Sequence, residues 1–472
     1  MTSRQPLAAA GPYRRSAGRR LLWTTPMPMH NLVRTVPVLL ALWGAAPAPT
    51  AAQVQPVPNP LTLDQAVARA AAASHRVAEL LARQGAAGAV VDQRQAAQRP
   101  TVALQAGYQR TNHVDEFTFA TPGGAVRVLY PDVPDNYRAR VELQWPIYTG
   151  GRLQALERAA AAEADASGRD LDAARADLKL EVTRAFWAVV TARETARVLE
   201  EALKRVDAQL ADVRARFDSG FVPPNDVLAV EAQRARQQVQ LIEARNLAAV
   251  AEADLARLID AGDANRLELA APLDPPVAAP SEVPALTAAA RAGRPERAAL
   301  ERRLEGAGAR EAAAQAGRLP TVAVISGYDY ARPNPRIFPR ADEWNHSWDA
   351  GVSVSWSAWD AGRTRAEMQE AAHLARAARE RLAEFDSVLA VEVRQRTLDL
   401  SSARAQIEAA QEGVRAATEA RRVVEERFAA GVATSTELLD AQVALLQAEL
   451  DRTRSVANAR LAFARLDRAL GR

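Results

Sequence analysis

The stretch YRARVELQWPIYTGGR, residues 137–152, returns 211 residues later as WDAGVSVSWSAWDAGR, residues 348–363. Both open as strands. In the first, Tyr137, Ala139, Val141, Leu143, Trp145 and Ile147 share one face, and Arg138, Arg140, Glu142 and Gln144 share the other. In the second, Trp348, Ala350, Val352, Val354 and Trp356 oppose Ser347, Asp349, Ser353, Ser355 and Ser357. A period of two with one apolar and one polar face is the pattern of a strand between two unlike media. The same offset matches Arg216, Phe217, Gly220 and Leu228 to Arg427, Phe428, Gly431 and Leu439. Upstream the offset is 220 and aligns Pro100, Thr101, Val102, Gly107 and Tyr108 with Pro320, Thr321, Val322, Gly327 and Tyr328, so one loop is nine residues longer in the first half. The chain is an internal repeat.

Each half reads in one order: a helix of about 35 residues, two strands, a very long helix, a tight turn and another helix. Proline is absent between Pro146 and Pro223, between Pro224 and Pro272, and after Pro339, and these intervals are rich in Ala, Leu, Arg and Glu, all strong helix formers. Residues 152–217 and 363–428 would each run about 100 Å at 1.5 Å per residue. Helices of that length persist when packed side by side, and frequent alanines let neighbours approach closely. The first repeat spans 53–271 and the second 285–472. The Pro-rich run PLDPPVAAPSEVP, 272–284, links them.

The partner strands fall near 101–110 and 321–331. Strands of 10 to 12 residues match the length of a tilted membrane-spanning strand. Tyr137 with Trp145, and Trp348 with Trp356, sit eight residues apart on the apolar face. Eight residues at about 3.3 Å, tilted by about 40°, cover roughly 20 Å of membrane height, near the separation of two aromatic girdles. A half-buried sheet in a soluble protein would show similar alternation. In a bilayer, strands satisfy their backbone only in a closed barrel, and four strands are too few to close one. A spanning reading therefore requires several copies.

Residues 1–52 supply an address. From Met29 the chain reads MHNLVRTVPVLLALWGAAPAPTAAQ: a basic start, a short apolar stretch and then small residues, the order of a signal peptide. Initiation at Met1 or at Met29 would carry the same leader. The 472-residue chain has a formal charge of +3, but the leader holds six arginines and no acid, so the chain beyond it carries −3. A basic nucleic-acid surface is not expected. With no cysteine there are no disulfides, no thiolate metal sites and no lipid-anchoring cysteine. The five histidines form no pair at zinc spacing, and Glu370 with His373 makes one lone E-x-x-H where a di-iron bundle needs two. GAGARE at Gly306 follows no strand, so it is no nucleotide loop. An enzyme is not expected, nor a cofactor or metal.

With these residues in view, the chain resembles the bacterial outer-membrane efflux proteins, the TolC-like family, over residues 61–470. LTLDQAVARA looks like the family's first helix, and WPIYTGGR like its return from the strand into the long helix. RFDSGFVPPNDVL and RFAAGVATSTELLD look like its two hairpin tips. The second half departs at Ser357, which stands in the place of Pro146, so its strand exit is expected to be shaped differently. The resemblance implies a mainly α fold with a membrane β-barrel: a homotrimer in which each subunit gives four strands to a 12-stranded barrel and its helices to a long antiparallel helical tunnel. It further implies an exit duct in the outer membrane, reaching into the periplasm and serving a tripartite efflux pump or a type I secretion system, with a periplasmic adaptor and an inner-membrane transporter as partners. The rival is a soluble envelope scaffold of coiled coils with no channel.

That resemblance singles out three groups of residues. Glu437 and Asp440, three apart on one helix face, and Asp226 in the matching place of the first repeat, are candidates for the narrow periplasmic mouth. Thr434-x-x-Glu437 is equally a capping box, and Asp440 lies in a first turn where the helix dipole favours anions. Arg216, Gly220, Arg427 and Gly431 are candidates for adaptor contact, the arginines being also placed to cap helix carbonyls. A basic latch residue two places after the second-tip glycine is missing, because Ala433 stands there. Tyr137, Trp145, Trp348 and Trp356 are the expected membrane girdles.

Overall fold

The computed structural model describes residues 60–262, 267–270 and 281–472. The expected leader and residues 272–280 of the expected linker lie outside the described residues. Two short helices, α1 (Leu63–Ala73) and α2 (His75–Ala96), lead into strand β1 (Thr101–Arg110). A hairpin, β2 (Phe117–Ala120) and β3 (Val126–Tyr130), then precedes β4 (Asp135–Tyr148), α3 (Arg152–Asp218) and α4 (Pro224–Leu258). The second half runs α5 (Val283–Gly293), α6 (Pro295–Gln315), β5 (Thr321–Arg332), β6 (Asn345–Ser355), α7 (Arg363–Ala429) and α8 (Ser435–Ala469). Helices α3 and α7 have 67 residues each, about 100 Å.

Three expectations are corrected. The 35-residue first helix of each half is two helices. Ser74 and Arg294 stand between them in extended conformation, with ψ 112° and 114°. Ser74 turns the chain by capping α2, its Oγ accepting the Val77 N–H at 3.3 Å, and Arg294 is held extended by Pro295 behind it. The first half, expected to hold two strands, holds four among the described residues, because its longer loop folds as the β2–β3 hairpin around Gly123 and Gly124, the latter at φ 82°. Residues 283 and 284, at the end of the expected linker, already belong to α5, with Pro284 in its first turn where no intrahelical N–H is needed.

The main sheet has the order β1-β4-β5-β6, every neighbouring pair antiparallel. Its centre is the seam between the repeats, β4 with β5, and its unpaired edges are β1 and β6. The two strand exits do differ. β4 continues through a bulge at Pro146 to Tyr148, whereas β6 stops at Ser355. Nearer the sheet, α3 packs on α2 and α6, and α7 on α6; nearer the hairpin tips, α3 packs on α4 and α8, and α8 on α7. The free flanks are thus α2 and α4 on the β1 side and α7 on the β6 side.

Where the two ends of a repeat meet, apolar cores pin the long helices. Phe186, Val182 and Val189 of α3 are buried with Leu61, Leu255 and Ile259. Leu389, Val393 and Leu400 of α7 are buried with Leu286 and Leu466. Each repeat closes with an arginine on a helix C-terminus: Arg69 donates to Ile259 O at 2.8 Å, and Arg294 to Arg468 O at 3.2 Å. No described helix is long and apolar enough to cross a membrane.

Candidate channel wall and helical tips

The sheet sorts its side chains by face. Leu104, Val141, Tyr328 and Trp348 lie on one rung, Trp145, Val324 and Val352 on another, all on the apolar face. Of the expected girdle residues, Tyr137 and Trp145 of β4 and Trp348 of β6 share this face. Trp356 lies just past β6, its indole N–H donating to Arg318 O at 3.1 Å. The two pairs are staggered: Trp145 stands level with Val352, four residues before Trp356. Strands of a closed barrel tilt by about 35–45°, so positions at one membrane height are staggered along the strands. An aromatic cluster at the loop end escaped the sequence reading. Tyr108 and Tyr137 rings lie 5.0 Å apart, Tyr137 and Trp344 5.8 Å, and Tyr330 and Trp344 4.8 Å. Tyr108 was visible in the repeat alignment, but its partners come from strands and loops far away in the chain.

The opposite face carries a charge ladder. Asp329 of β5 accepts from Arg138 and from Arg140 of β4, both at 2.6 Å. Arg140 reaches on to Asp349 of β6 at 3.3 Å, and Asp349 is also held by Arg336 at 3.1 Å. Gly327 makes this possible, since a Cβ there would stand 2.3 Å from Arg140 Nη2. Paired charges across three strands of one face befit a surface turned to water, as the other face befits lipid.

At the far end, both tips end in the same way. Gly220 and Gly431 take φ 76° and 75°, open to glycine without strain. Phe221 N–H donates to Arg216 O at 2.8 Å and Gly220 N–H to Phe217 O at 2.9 Å; Val432 and Gly431 repeat this on Arg427 O and Phe428 O at 2.8 and 3.0 Å. This is a Schellman motif, and it accounts for the glycine of each R-F-x-x-G sequence. Arg427 is exposed. Arg216, expected to be exposed, is half-buried instead: it pairs with Asp212 at 3.1 Å, lies over the Phe428 ring at 4.3 Å and donates to Phe428 O at 3.2 Å. It does cap a carbonyl, but one of the other repeat's long helix. The residues after the two glycines, Phe221 and Val432, are 81% and 68% exposed and were missed in the sequence.

Glu437 and Asp440 are both exposed in the first turns of α8, and Asp226 is half-exposed in the first turn of α4. Thr434 Oγ1 accepts the Glu437 N–H at 3.2 Å, which is one half of the capping box. Asn225 donates to Asp226 at 3.1 Å. One layer further in, Gln209 of α3 donates to Ser435 O of α8 at 3.3 Å. Among the described residues no group of three His, Asp or Glu is placed to hold a metal.

This architecture recurs in solved structures. A membrane protein from Pseudomonas aeruginosa is similar at 21% identity and TM-score 0.72, covering 87% of this chain and 93% of that one. The outer membrane protein VceC from Vibrio cholerae is similar at 19% identity and TM-score 0.72, covering 87% and 96%. The open state of the Neisseria gonorrhoeae MtrE outer membrane channel is similar at 19% identity and TM-score 0.71, covering 87% and 88%. No curated protein matches the chain. The model of the outer membrane efflux protein family matches residues 66–261 and 286–472, most of both repeats. The chain belongs to the outer membrane efflux protein family.

Proposed function

We propose that the protein is a homotrimeric exit duct in the outer membrane, receiving its cargo through a periplasmic adaptor from an inner-membrane transporter. The observation that carries this reading is the sheet: four strands with an apolar, aromatic face, a charged face and two open edges. Such a sheet is unstable alone in lipid, because β1 and β6 each leave a row of backbone groups unpaired. Three copies joined head to tail, β6 of one to β1 of the next, remove every edge and close 12 strands. The same rotation brings α2 and α4 of one copy beside α7 of its neighbour. Those flanks expose Val239, Ile242 and Val250 on α4, and Leu374, Val388, Val391 and Leu398 on α7, apolar side chains that a neighbouring helix would cover.

At the tips, Gly220, Gly431 and Arg427 form the surface offered to the adaptor, and Phe221 and Val432 are its apolar contacts. Arg216 acts from behind, fixing one tip to the other. Glu437, Asp440 and Asp226 line the mouth. Tyr137, Trp145, Trp348 and Trp356 anchor the barrel at the lipid interfaces.

Because the chain has no cysteine of its own, edge pairing is open to disulfide trapping. Single cysteines introduced on β1 at Val102, Leu104 or Ala106 and on β6 at Ala350, Val352 or Val354 should yield covalent trimers from outer-membrane fractions in at least one register. Monomers only, in every combination, from protein purified without detergent would overturn the duct.

A further inference from the structure

The connection between β5 and β6, residues 333–344, crosses from one face of the sheet to the other. Its first half lies on the charged face. Asn334, 2% exposed, donates from Nδ2 to Ser347 Oγ at 3.1 Å and to Asn345 O at 3.0 Å, while its Oδ1 accepts the Arg336 N–H at 2.9 Å. Arg336 pairs with Asp349 at 3.1 Å and donates to Trp348 O at 2.8 Å. Arg340 donates to Asn136 Oδ1 at 2.6 Å and to the Tyr130 hydroxyl, and lies over the Tyr130 ring at 4.9 Å. Ser347 and Asp349 of β6 and Asn136 of β4 alternate with the apolar residues and share the face of the arginine–aspartate ladder. The second half of the loop lies over the apolar face, where Asp342 pairs with Arg332 at 2.8 Å and Trp344 stacks on Tyr330.

Between Arg336 and Arg340, on the charged side, the chain places Ile337 and Phe338. Phe338 is 72% exposed and Ile337 39%. Apolar side chains on a face turned to water lose the stabilisation that burial would give them, and an aromatic ring loses most. Nor is the loop free to fold away from the water, since Asn334 and Arg336 fasten it on one side of the pair and Arg340 on the other. Something opposite the loop must cover the pair.

The dimensions of the barrel supply it. Twelve strands spaced about 4.8 Å apart and tilted by about 40° enclose a radius of about 12 Å. A chain segment lying on a sheet face stands up to about 10 Å off it, so the apexes of three such loops meet near the axis. We propose that Ile337 and Phe338 of the three copies pack against one another as an apolar gate across the outer exit, closed to ions and polar solutes and parted by apolar or amphiphilic cargo. A hydrophobic constriction of this kind shuts by shedding water, with no charge needed. This inference rests on the duct reading and adds to it a second closure, at the opposite end from the acidic mouth and of opposite character.

Two measurements on the full-length protein test the gate. In detergent-purified trimers, mild oxidation should join Phe338→Cys into disulfide-linked dimers, because two of three thiols at an axis can pair, whereas Glu343→Cys in the outer half of the same loop should stay unlinked. In intact cells, Ser353→Cys places a thiol on the charged face below the loop. Its labelling by a sulfonated maleimide dye too large for general porins should be slow, and about tenfold faster when Ile337→Ser and Phe338→Ser are added. Asn334→Ala with Arg336→Ala, which unfastens the loop, should also speed it. Full labelling after denaturation verifies the thiol, and an unchanged trimer yield verifies the fold. Equal labelling rates with and without the serines, fast or slow, would overturn the gate, as would a trimer in which Phe338→Cys fails to link. A protein that elutes as a monomer would instead overturn the duct, and the gate with it.

Discussion

The turn from strand into long helix shows how one residue sets local cost. Gly150 stands at φ 63°, and a Cβ there would lie 2.8 Å from the Leu319 Cβ. The equivalent place in the second repeat holds Ala361, forced to φ 55°. What compensates is Asp360, which accepts from Gly362 N–H at 3.0 Å and Thr364 N–H at 2.8 Å and so caps α7. A left-handed alanine costs about 1–2 kcal/mol, while glycine surrenders about 0.5–1 kcal/mol of chain entropy, so the conformational term wins. Ala361→Gly should therefore stabilise the protein by about 0.5–1 kcal/mol, and Gly150→Ala should destabilise it by at least 1–2 kcal/mol, both read as shifts in thermal unfolding. Neighbouring residues on β6 test the faces in the same way. Val352 shares its rung with Val324 on the apolar face, and Ser353 pairs with Ala323 on the other. Val352→Arg should cost about 2–4 kcal/mol and reduce trimer yield, while Ser353→Arg is tolerated. Equal losses at both positions would reverse the assignment of lipid and lumen.

Among the elements, the joint between the two repeats is electrostatic as well as apolar. Arg294, Glu296, Arg468, Asp177 and Glu392 link α5, α6, α7, α8 and α3. Burial alone would raise the Glu296 carboxyl, but Arg468 and Arg294 outweigh it and hold it below the ordinary glutamate range. A folded-state value below the unfolded one means that this pair stabilises fully above the unfolded value of about 4.3 and loses its contribution as pH falls through the folded value. Melting temperature should thus decline below about pH 4.3 in the parent more steeply than in Glu296→Gln, which has no such proton to bind. An identical acid limb in both would remove Glu296 from the joint. Little of this joint was legible in the sequence, because Glu296 and Arg468 are 172 residues apart. Strands and long helices were legible, since alternation and proline spacing are local signals: α3 and α7 end one residue beyond the expected 217 and 428. The break at Arg294 carries a visible cause in Pro295. The break at Ser74, within AAAASHR, does not, since serine caps a helix only once tertiary packing has turned the chain there. The β2–β3 hairpin was hidden by its short strands and polar surroundings. The role of Arg216 was hidden by a partner, Phe428, that lies in the other repeat.

For the whole molecule the decisive question is what the acidic turn at the start of α8 does once three copies surround an axis. Thr434 already caps the helix through its hydroxyl, so Glu437 is not needed for that bond, and both Glu437 and Asp440 stand exposed. In the proposed trimer they would form two rings of three carboxylates at a narrow opening. Like charges held that closely repel, and bound cations relieve them best. The pore should therefore prefer cations and be blocked by multivalent cations from the periplasmic side. Glu437→Gln with Asp440→Asn preserves side-chain size and the Thr434 cap while removing the charge, so it separates pore from cap. Single-channel recording in planar bilayers should show reduced cation preference and loss of the multivalent block in the double variant, with trimer stability nearly unchanged. If selectivity and block persist while stability falls, the carboxylates serve the helix terminus through the dipole, and the constriction lies elsewhere along the tunnel.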